Sequence, residues 1–535
     1  MTIRTPLPAA IGDASGAGEL RGLTGLRIVA AAWVVLFHFH FTPLPGVAEV
    51  VGVLGPLITS GALGVDMFFV LSGFVIAHTY LDRLGPSLQV GPTARFVWAR
   101  ACRIWPAYVL VFNLFGIWLV ARLVFGHDGD IAFQAVQPQV NLGQWVAQMF
   151  MVQLWDQPMF DGASWVGPTW SISAEWLAYL LFPVAALVFY RLRRLPAPVL
   201  LLGAFALMAP MTWAYLSTGN PYFEWSWLVR ILCGFGAGVL THLAVRRMRG
   251  GSAVNRRASV VAAVVPVLIV GGLLVGDDVG EGRGGAVIAL FPLLVGALAL
   301  ADRGPAVLLS SRPVVYGGYL SYALYLVHIP LFEVYWLAQR YVPWLAGDTV
   351  AADLVAVGVV LATLPVAAVI YRLVEEPSRR QLRSLARPER PTVIALPEAR
   401  RAVRTVPTVV VPAQANDPVA AVAARRAASR HAASPHRQST LAAALVKAQR
   451  RRPAHRAQLA EELDRAAFKQ RLRRAPFGGR LRRRSRHPRR SAGEGPASAS
   501  RPPRPARRRD GPGRVHPHPV PASRRLAREK SFPGW

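Results

Sequence analysis

Apolar runs recur along the first 373 residues, each long enough to cross a bilayer at about 17 to 25 residues per helix. They fall near 24–41, 61–80, 105–125, 172–190, 197–216, 226–245, 258–276, 284–301, 316–338 and 350–371. The pattern predicts an all-α integral membrane protein of about ten transmembrane helices. Two runs are interrupted by charge, the fourth by Glu175 and the sixth by Arg230. The stretch before Leu23 is polar and lacks a short apolar core ending in a cleavage site, so the first span is read as retained.

Composition agrees with this pattern. Of 535 residues, 53% are hydrophobic and 17% charged, with a mean hydropathy of +0.32. An ordinary cytosolic enzyme is excluded. Disorder throughout is excluded as well, because 15 Trp, 23 Phe and 13 Tyr supply too much apolar surface. The net charge of +32 is concentrated at one end: residues 379–535 hold 39 Lys and Arg against 9 Asp and Glu. The sequence therefore divides into a polar segment 1–22, a greasy body 23–378 and a basic tail 379–535 rich in Arg, Ala and Pro. The tail is expected to be disordered, apart from a helical stretch near 439–474. Cys102 and Cys233 are the only cysteines, so neither a disulfide framework nor a Cys-based metal site is expected, and no metal is assigned.

Loop charge predicts orientation. With the N-terminus in the cytoplasm, the inner loops carry fourteen arginines and the outer loops only Arg283 and Arg340. Ten spans then return the basic tail to the cytoplasm, with the body in the plasma (inner) membrane. The long outer segment 126–168 has no Lys or Arg, four Asp, and the aromatics Trp145, Phe150 and Trp155. It reads as a cover over an outer site or as an interfacial helix.

Ionisable residues within spans are costly and face a cavity or a partner. Arg27 and His38 are eleven residues apart on the first span, only about 20° from three full turns, hence on one helix face roughly 16 Å apart. Arg27 sits at the cytoplasmic mouth, as a topological anchor or as part of the His38 stripe. Asp66 is expected at a depth comparable with His38, either orienting the imidazole or capping its own helix. Ser171, Glu175 and Tyr179 form an i, i+4, i+8 stripe near the outer face, with Arg230 a possible counter-ion for Glu175. On the inner side Arg100 and Arg103 offer two guanidinium forks that suit phosphate, or serve as anchors. His328 lies at mid-membrane beside Pro330, facing a pocket or packing helices.

Taken together and in order, Arg27-x10-His38, Gly64-Val-Asp66-Met-Phe-Phe-Val-Leu-Ser-Gly, Arg100-x-x-Arg103-Ile-x-Pro106, Trp170-Ser171-Ile-Ser173-x-Glu175 and Ser321-Tyr322-x-Leu-Tyr-x-x-His328-x-Pro330 closely resemble the acyltransferase-3 family. These are bacterial membrane O-acyltransferases, including polysaccharide and lipopolysaccharide O-acetylases. The resemblance covers about residues 18–380. It implies that His38 is the essential histidine, with Arg27 its motif partner and Arg100 and Arg103 a second arginine motif. Asp66, Trp170 and Glu175 match further family positions. Thr24-Gly25 departs from the usual approach to the first motif.

The expected activity is transfer of an acyl group, acetyl by resemblance, from cytoplasmic acyl-CoA to a hydroxyl of a cell-surface glycan, lipid-linked sugar or glycosylated metabolite. His38, poised by Asp66 or Glu175, is the expected general base, with an acyl-histidine as the competing scheme. Arg27, Arg100 and Arg103 are assigned to acyl-CoA; Trp170, Ser171, Arg230 and His328 to substrate. The rival reading is a transporter or flippase that moves such compounds unchanged. Beyond substrates, the expected partners are the bilayer and, for the tail, anionic inner-leaflet lipid; nucleic acid is not expected, since no nucleic-acid fold is evident.

Overall fold

The computed structural model describes residues 19–126, 129–132 and 134–385. Among these residues every regular element is helical, and ten helices are long and apolar enough to cross a membrane. We label them α1 (Arg21–Phe39), α2 (Leu63–Leu84), α3 (Val90–Ala121), α4 (Trp170–Leu192), α5 (Ala197–Thr218), α6 (Ser226–Met248) and α7 (Ser252–Val279). Next come α8 (Phe291–Leu300, preceded by the 3-10 turns of Arg283–Leu290), α9 (Arg312–Tyr341) and α10 (Val350–Ile370). A π turn, Tyr371–Glu375, leads into the amphipathic α11 (Glu376–Leu385). The ten spans match the ten apolar runs of the sequence. The expected helix near 439–474 and the rest of the tail beyond residue 385 lie outside the described residues, as do 1–18; Arg379–Leu385, assigned to the disordered tail, is helical.

Helices satisfy every backbone group within the segment, which a lipid surround demands. Burial then sorts them. In the spans of α1, α2, α6, α8 and α9 between 61% and 78% of the apolar window is buried, against 22–33% in α3, α5, α7 and α10. The first five make the centre of the bundle and the other four its periphery, where Val260, Val264, Val267 and Leu268 on α7 remain exposed as an apolar rim.

Small residues set the central contacts. Gly234 and Gly238, four apart on α6, meet α2; a Cβ on Gly238 would stand 2.1 Å from the Val70 carbonyl oxygen. Only glycine allows backbones to come so close. Between α1 and α9 the same role falls to Gly318, whose Cβ would sit 1.9 Å from the Thr24 oxygen. Gly25, part of the departure from the family pattern, lies against the Leu309 carbonyl in the same manner. That departure is therefore a packing feature.

The segment between α3 and α4 is docked rather than loose. Its short helix Leu142–Met149 is capped by Asn141, which accepts from the Gln144 N–H at 2.8 Å. The Trp145 indole donates to Asn113 on α3 at 2.9 Å, and the Trp105 indole of α3 donates back to Met149 at 2.9 Å. Gln148 is fully buried and accepts from the Trp165 N–H.

Candidate active site

Two chambers lie along the central helices. The larger, about 490 Å³, opens between α1, α2, α3, α4, α9 and α11, and is lined by Arg27, Arg100, Arg103, Glu175, Tyr179 and Tyr322 among others. We call it the arginine chamber. The smaller, about 60 Å³, is lined by His38, Trp170, Tyr222, Arg230, Phe160 and Asp161. We call it the histidine chamber. The face shared by Arg27 and His38 on α1 thus serves both chambers, with Arg27 in one and His38 in the other.

His38 is buried and its Nδ1 lies 2.9 Å from the Val34 carbonyl oxygen. A carbonyl only accepts, so the geometry assigns the proton to Nδ1 and leaves the Nε2 lone pair as the basic atom. The same Nδ1 is 3.2 Å from Nε2 of His328, a fully buried residue on α9. His328 therefore pairs with His38 rather than lining a substrate chamber, contrary to its assignment to substrate. His40 turns its Nδ1 to the Phe37 carbonyl and lines neither chamber.

Asp66 does not orient His38. Its carboxylate is taken by Arg230 in a two-pronged pair, Nε to Oδ1 at 2.9 Å and Nη2 to Oδ2 at 2.7 Å, with both residues at most 2% exposed. A guanidinium in the same buried layer outcompetes a neutral imidazole for a carboxylate. Arg230 is accordingly the counter-ion of Asp66 and not of Glu175. Its guanidinium also lies over the rings of Trp170, at 5.0 Å, and Tyr222, at 5.7 Å. Arg230 Nη1 is buried without a hydrogen-bond partner among the described residues. Trp170 stacks on Phe160 at 4.8 Å. Half-burial of Asp161 pushes its carboxyl up to about 6, and burial pushes the Tyr222 phenol up to about 12.

Glu175 was expected near the outer face with Asp66, but it lines the arginine chamber. Five residues past the start of α4, it shares that chamber with Arg27. It accepts the Tyr179 O–H at 2.5 Å, and Tyr179 is 3.1 Å from Ser72 Oγ. Arg27 Nε is buried there without a partner among the described residues. Arg100 donates to the Tyr80 hydroxyl at 3.2 Å, with Tyr179 within cation–π reach. Arg103 is ion-paired with Glu375 and lies over the Tyr322 ring. The two arginine forks therefore share one chamber, but Arg103 is already engaged by a carboxylate that sequence reasoning missed. Glu376 holds Arg379 and Arg380 at the chamber mouth, and the Trp98 indole donates to Leu382, which ties α11 to α3.

A histidine facing one chamber and an arginine-lined cavity behind it, within ten apolar helices, agree with one further observation: a family profile described as "Acyltransferase domain" matches residues 20–372. The chain belongs to the acyltransferase-3 family. It is 28% identical to "Acyltransferase MdmB" of Streptomyces mycarofaciens over 68% of this chain and 92% of that relative. It is 27% identical to "Putative peptidoglycan O-acetyltransferase YrhL" of Bacillus subtilis over 31% of this chain, and 29% identical to "Peptidoglycan O-acetyltransferase OatA" of Listeria monocytogenes over 32%. The chain spans about a quarter of each of these two. No solved structure matches it. This acyltransferase is a multi-pass membrane O-acyltransferase.

Residues to which the sequence reading gave no role line both chambers of the acyltransferase, among them the tyrosines that lead up to the assigned His328. Tyr319, Tyr322, Tyr325 and His328 follow one another at steps of three along α9. The three tyrosines line the arginine chamber, Tyr325 lines the histidine chamber as well, and His328 reaches His38. That regular spacing was the available signal. Phe160, Asp161 and Tyr222 come from connecting segments without periodicity, and nothing local marks them.

Proposed function

We propose that the acyltransferase takes its acyl group from acyl-CoA held in the arginine chamber and delivers it to an acceptor hydroxyl in the histidine chamber. The observation that carries this reading is the division of the Arg27–His38 face between two chambers. The arginine-rich end faces the cytoplasm of the plasma membrane in this reading, where acyl-CoA is made. Arg100 and Arg27 are then the principal cations for CoA phosphates, and Arg103 reaches them only by leaving Glu375. The acceptor is a sugar hydroxyl of a cell-surface glycan, lipid-linked sugar or glycosylated metabolite, presented to Trp170, Phe160 and Tyr222. The peptidoglycan O-acetyltransferase names of two relatives support a glycan and an acetyl group.

In the transfer step His38 Nε2 takes the proton of the acceptor hydroxyl as its oxygen bonds to the acyl carbon. The carbon–sulfur bond breaks, and the proton passes to the departing CoA sulfur. His328 holds the His38 tautomer in which Nε2 is basic. Arg230 Nη1 offers a buried donor for the oxygen that becomes negative in the transition state, while Asp66 fixes that guanidinium. The rival transporter reading finds no support in the family or in the names of its relatives. Membranes carrying the acyltransferase should incorporate radiolabel from acetyl-CoA into envelope material, and His38→Ala should lower this by roughly a hundred-fold or more. Incorporation that survives His38→Ala would remove the base from this scheme; incorporation absent from the parent membranes would remove the donor.

A further inference from the structure

The two chambers meet at Val65 of α2 and Tyr325 of α9, which line both of them. Both are buried and stand between the two chambers. Hydrogen bonds fix the Tyr325 side of this partition. The Tyr325 hydroxyl donates to the Pro168 carbonyl at 2.6 Å and is 2.7 Å from Ser171 Oγ, and Ser171 itself donates to Pro168 at 3.0 Å. Pro168 lines the histidine chamber and Ser171 the arginine chamber. On its other sides the Tyr325 ring meets Phe68 and His328.

We infer that Val65 and the Tyr325–Ser171–Pro168 triangle form the aperture that sets the length of acyl chain the enzyme transfers. This inference rests on the acyl-CoA reading above and deepens it. The arginine chamber, at about 490 Å³, is too roomy to tell acetyl from butyryl. The histidine chamber is far tighter, at about 60 Å³, so that beside an acceptor hydroxyl it admits a short acyl group more readily than a long one. For the thioester carbon to reach the hydroxyl activated by His38, the acyl end must pass Val65 and the Tyr325 hydroxyl while CoA stays behind. Chain length is therefore read at the passage. The isopropyl group of Val65 is the fixed wall. The Tyr325 ring is the movable one, since only its hydroxyl pins it to the start of α4.

Inside-out membrane vesicles containing endogenous acceptor, supplied with labelled acetyl-, propionyl- or butyryl-CoA, test the inference. Val65→Ala should raise use of butyryl-CoA relative to acetyl-CoA by about ten-fold or more, the usual discrimination for one methylene in an apolar slot. Val65→Leu should lower propionyl and butyryl use before acetyl, and Tyr325→Phe should shift preference in the same direction as Val65→Ala. A second measurement needs no donor. In a Cys102→Ala/Cys233→Ala background, Ala62→Cys places a thiol in the histidine chamber. A small thiol reagent confined to the arginine-rich side should reach it several-fold faster with Val65→Ala than with Val65 intact. Unchanged selectivity among acyl-CoAs that the parent enzyme does use would overturn the aperture, as would equal labelling rates. A parent enzyme that uses no acyl-CoA would overturn the donor reading instead, and the labelling rates would still decide the aperture.

Discussion

At the scale of single residues, the site is organised by two buried pairs with different work. Asp66 and Arg230 form a charge pair that neither residue can leave cheaply. Removing one partner of such a pair leaves a buried, uncompensated charge, at a cost of about 3–5 kcal/mol. Asp66→Ala should therefore lower folded yield and thermal stability in detergent, whereas Asp66→Ala/Arg230→Leu should recover much of that stability without activity. A stable but inactive Asp66→Ala protein would instead return Asp66 to a direct role. His38 and His328 form a buried pair at 3.2 Å, and they should act as a unit. His38→Ala and His38→Ala/His328→Ala are expected to have the same residual rate, while His328→Gln alone should lose less, chiefly in kcat. Independent, multiplying losses would separate the two imidazoles. Asp161 adds a pH signature. Its raised value, about 6, means that the folded protein binds this proton more tightly than the unfolded chain. Its contribution to stability is thus present below the unfolded value near 3.8 and is lost as pH rises through about 6. Acceptor KM should change across pH 5–7, with Arg230, Tyr222 and His38 lining the same chamber, and Asp161→Asn should remove the Asp161 part of that change.

At the scale of elements, the site depends on how close α2, α6, α1 and α9 can come. The Asp66–Arg230 pair bridges α2 and α6, and Gly238 lies two turns along α6 from Arg230. Gly238→Ala would push its methyl into the Val70 carbonyl and separate the helices. A loss of about 1–3 kcal/mol is expected, read as a lower melting temperature, together with lower activity. Gly271→Ala on α7, where a Cβ meets nothing within 4 Å, is the neutral control. These contacts also show how much the sequence made legible. Ten apolar runs gave ten helices, because length and hydropathy are properties of one segment. The Arg27–His38 face was legible for the same reason, since it depends only on helical period. Pairings between helices were not. Asp66 was set beside His38 and Arg230 beside Glu175 on depth alone, and depth does not say which helix lies next to which. The small-residue steps Gly234–Gly238 and the tyrosine steps on α9 were the cues to that adjacency. Glu375, which engages Arg103, was hidden because its neighbourhood reads as the polar exit of the last span.

At the scale of the whole molecule, the proposed function divides the substrates between the two chambers, one at each end of the bundle. Arg100 lines only the arginine chamber and Trp170 only the histidine chamber, so their substitutions should separate in kinetics with both substrates varied. Arg100→Ala should raise the apparent KM for acyl-CoA about ten-fold or more, the equivalent of one charge-assisted hydrogen bond at about 1.5–3 kcal/mol, with little effect on the acceptor. Arg100→Lys should recover part of this, since an ammonium keeps the charge but not the fork. Arg103→Ala is a poorer probe, because it would also strand the buried Glu375 carboxylate. Trp170→Ala should do the reverse of Arg100→Ala and raise the acceptor KM alone. Sidedness gives the stricter form of the same prediction. Acyl-CoA offered to sealed inside-out vesicles should be consumed, and the same donor offered to right-side-out vesicles should not, until the membrane is permeabilised. Equal rates from both sides, or an Arg100→Ala enzyme whose two KM values shift together, would mean that donor and acceptor enter by one route. The partition at Val65 and Tyr325 would then separate nothing.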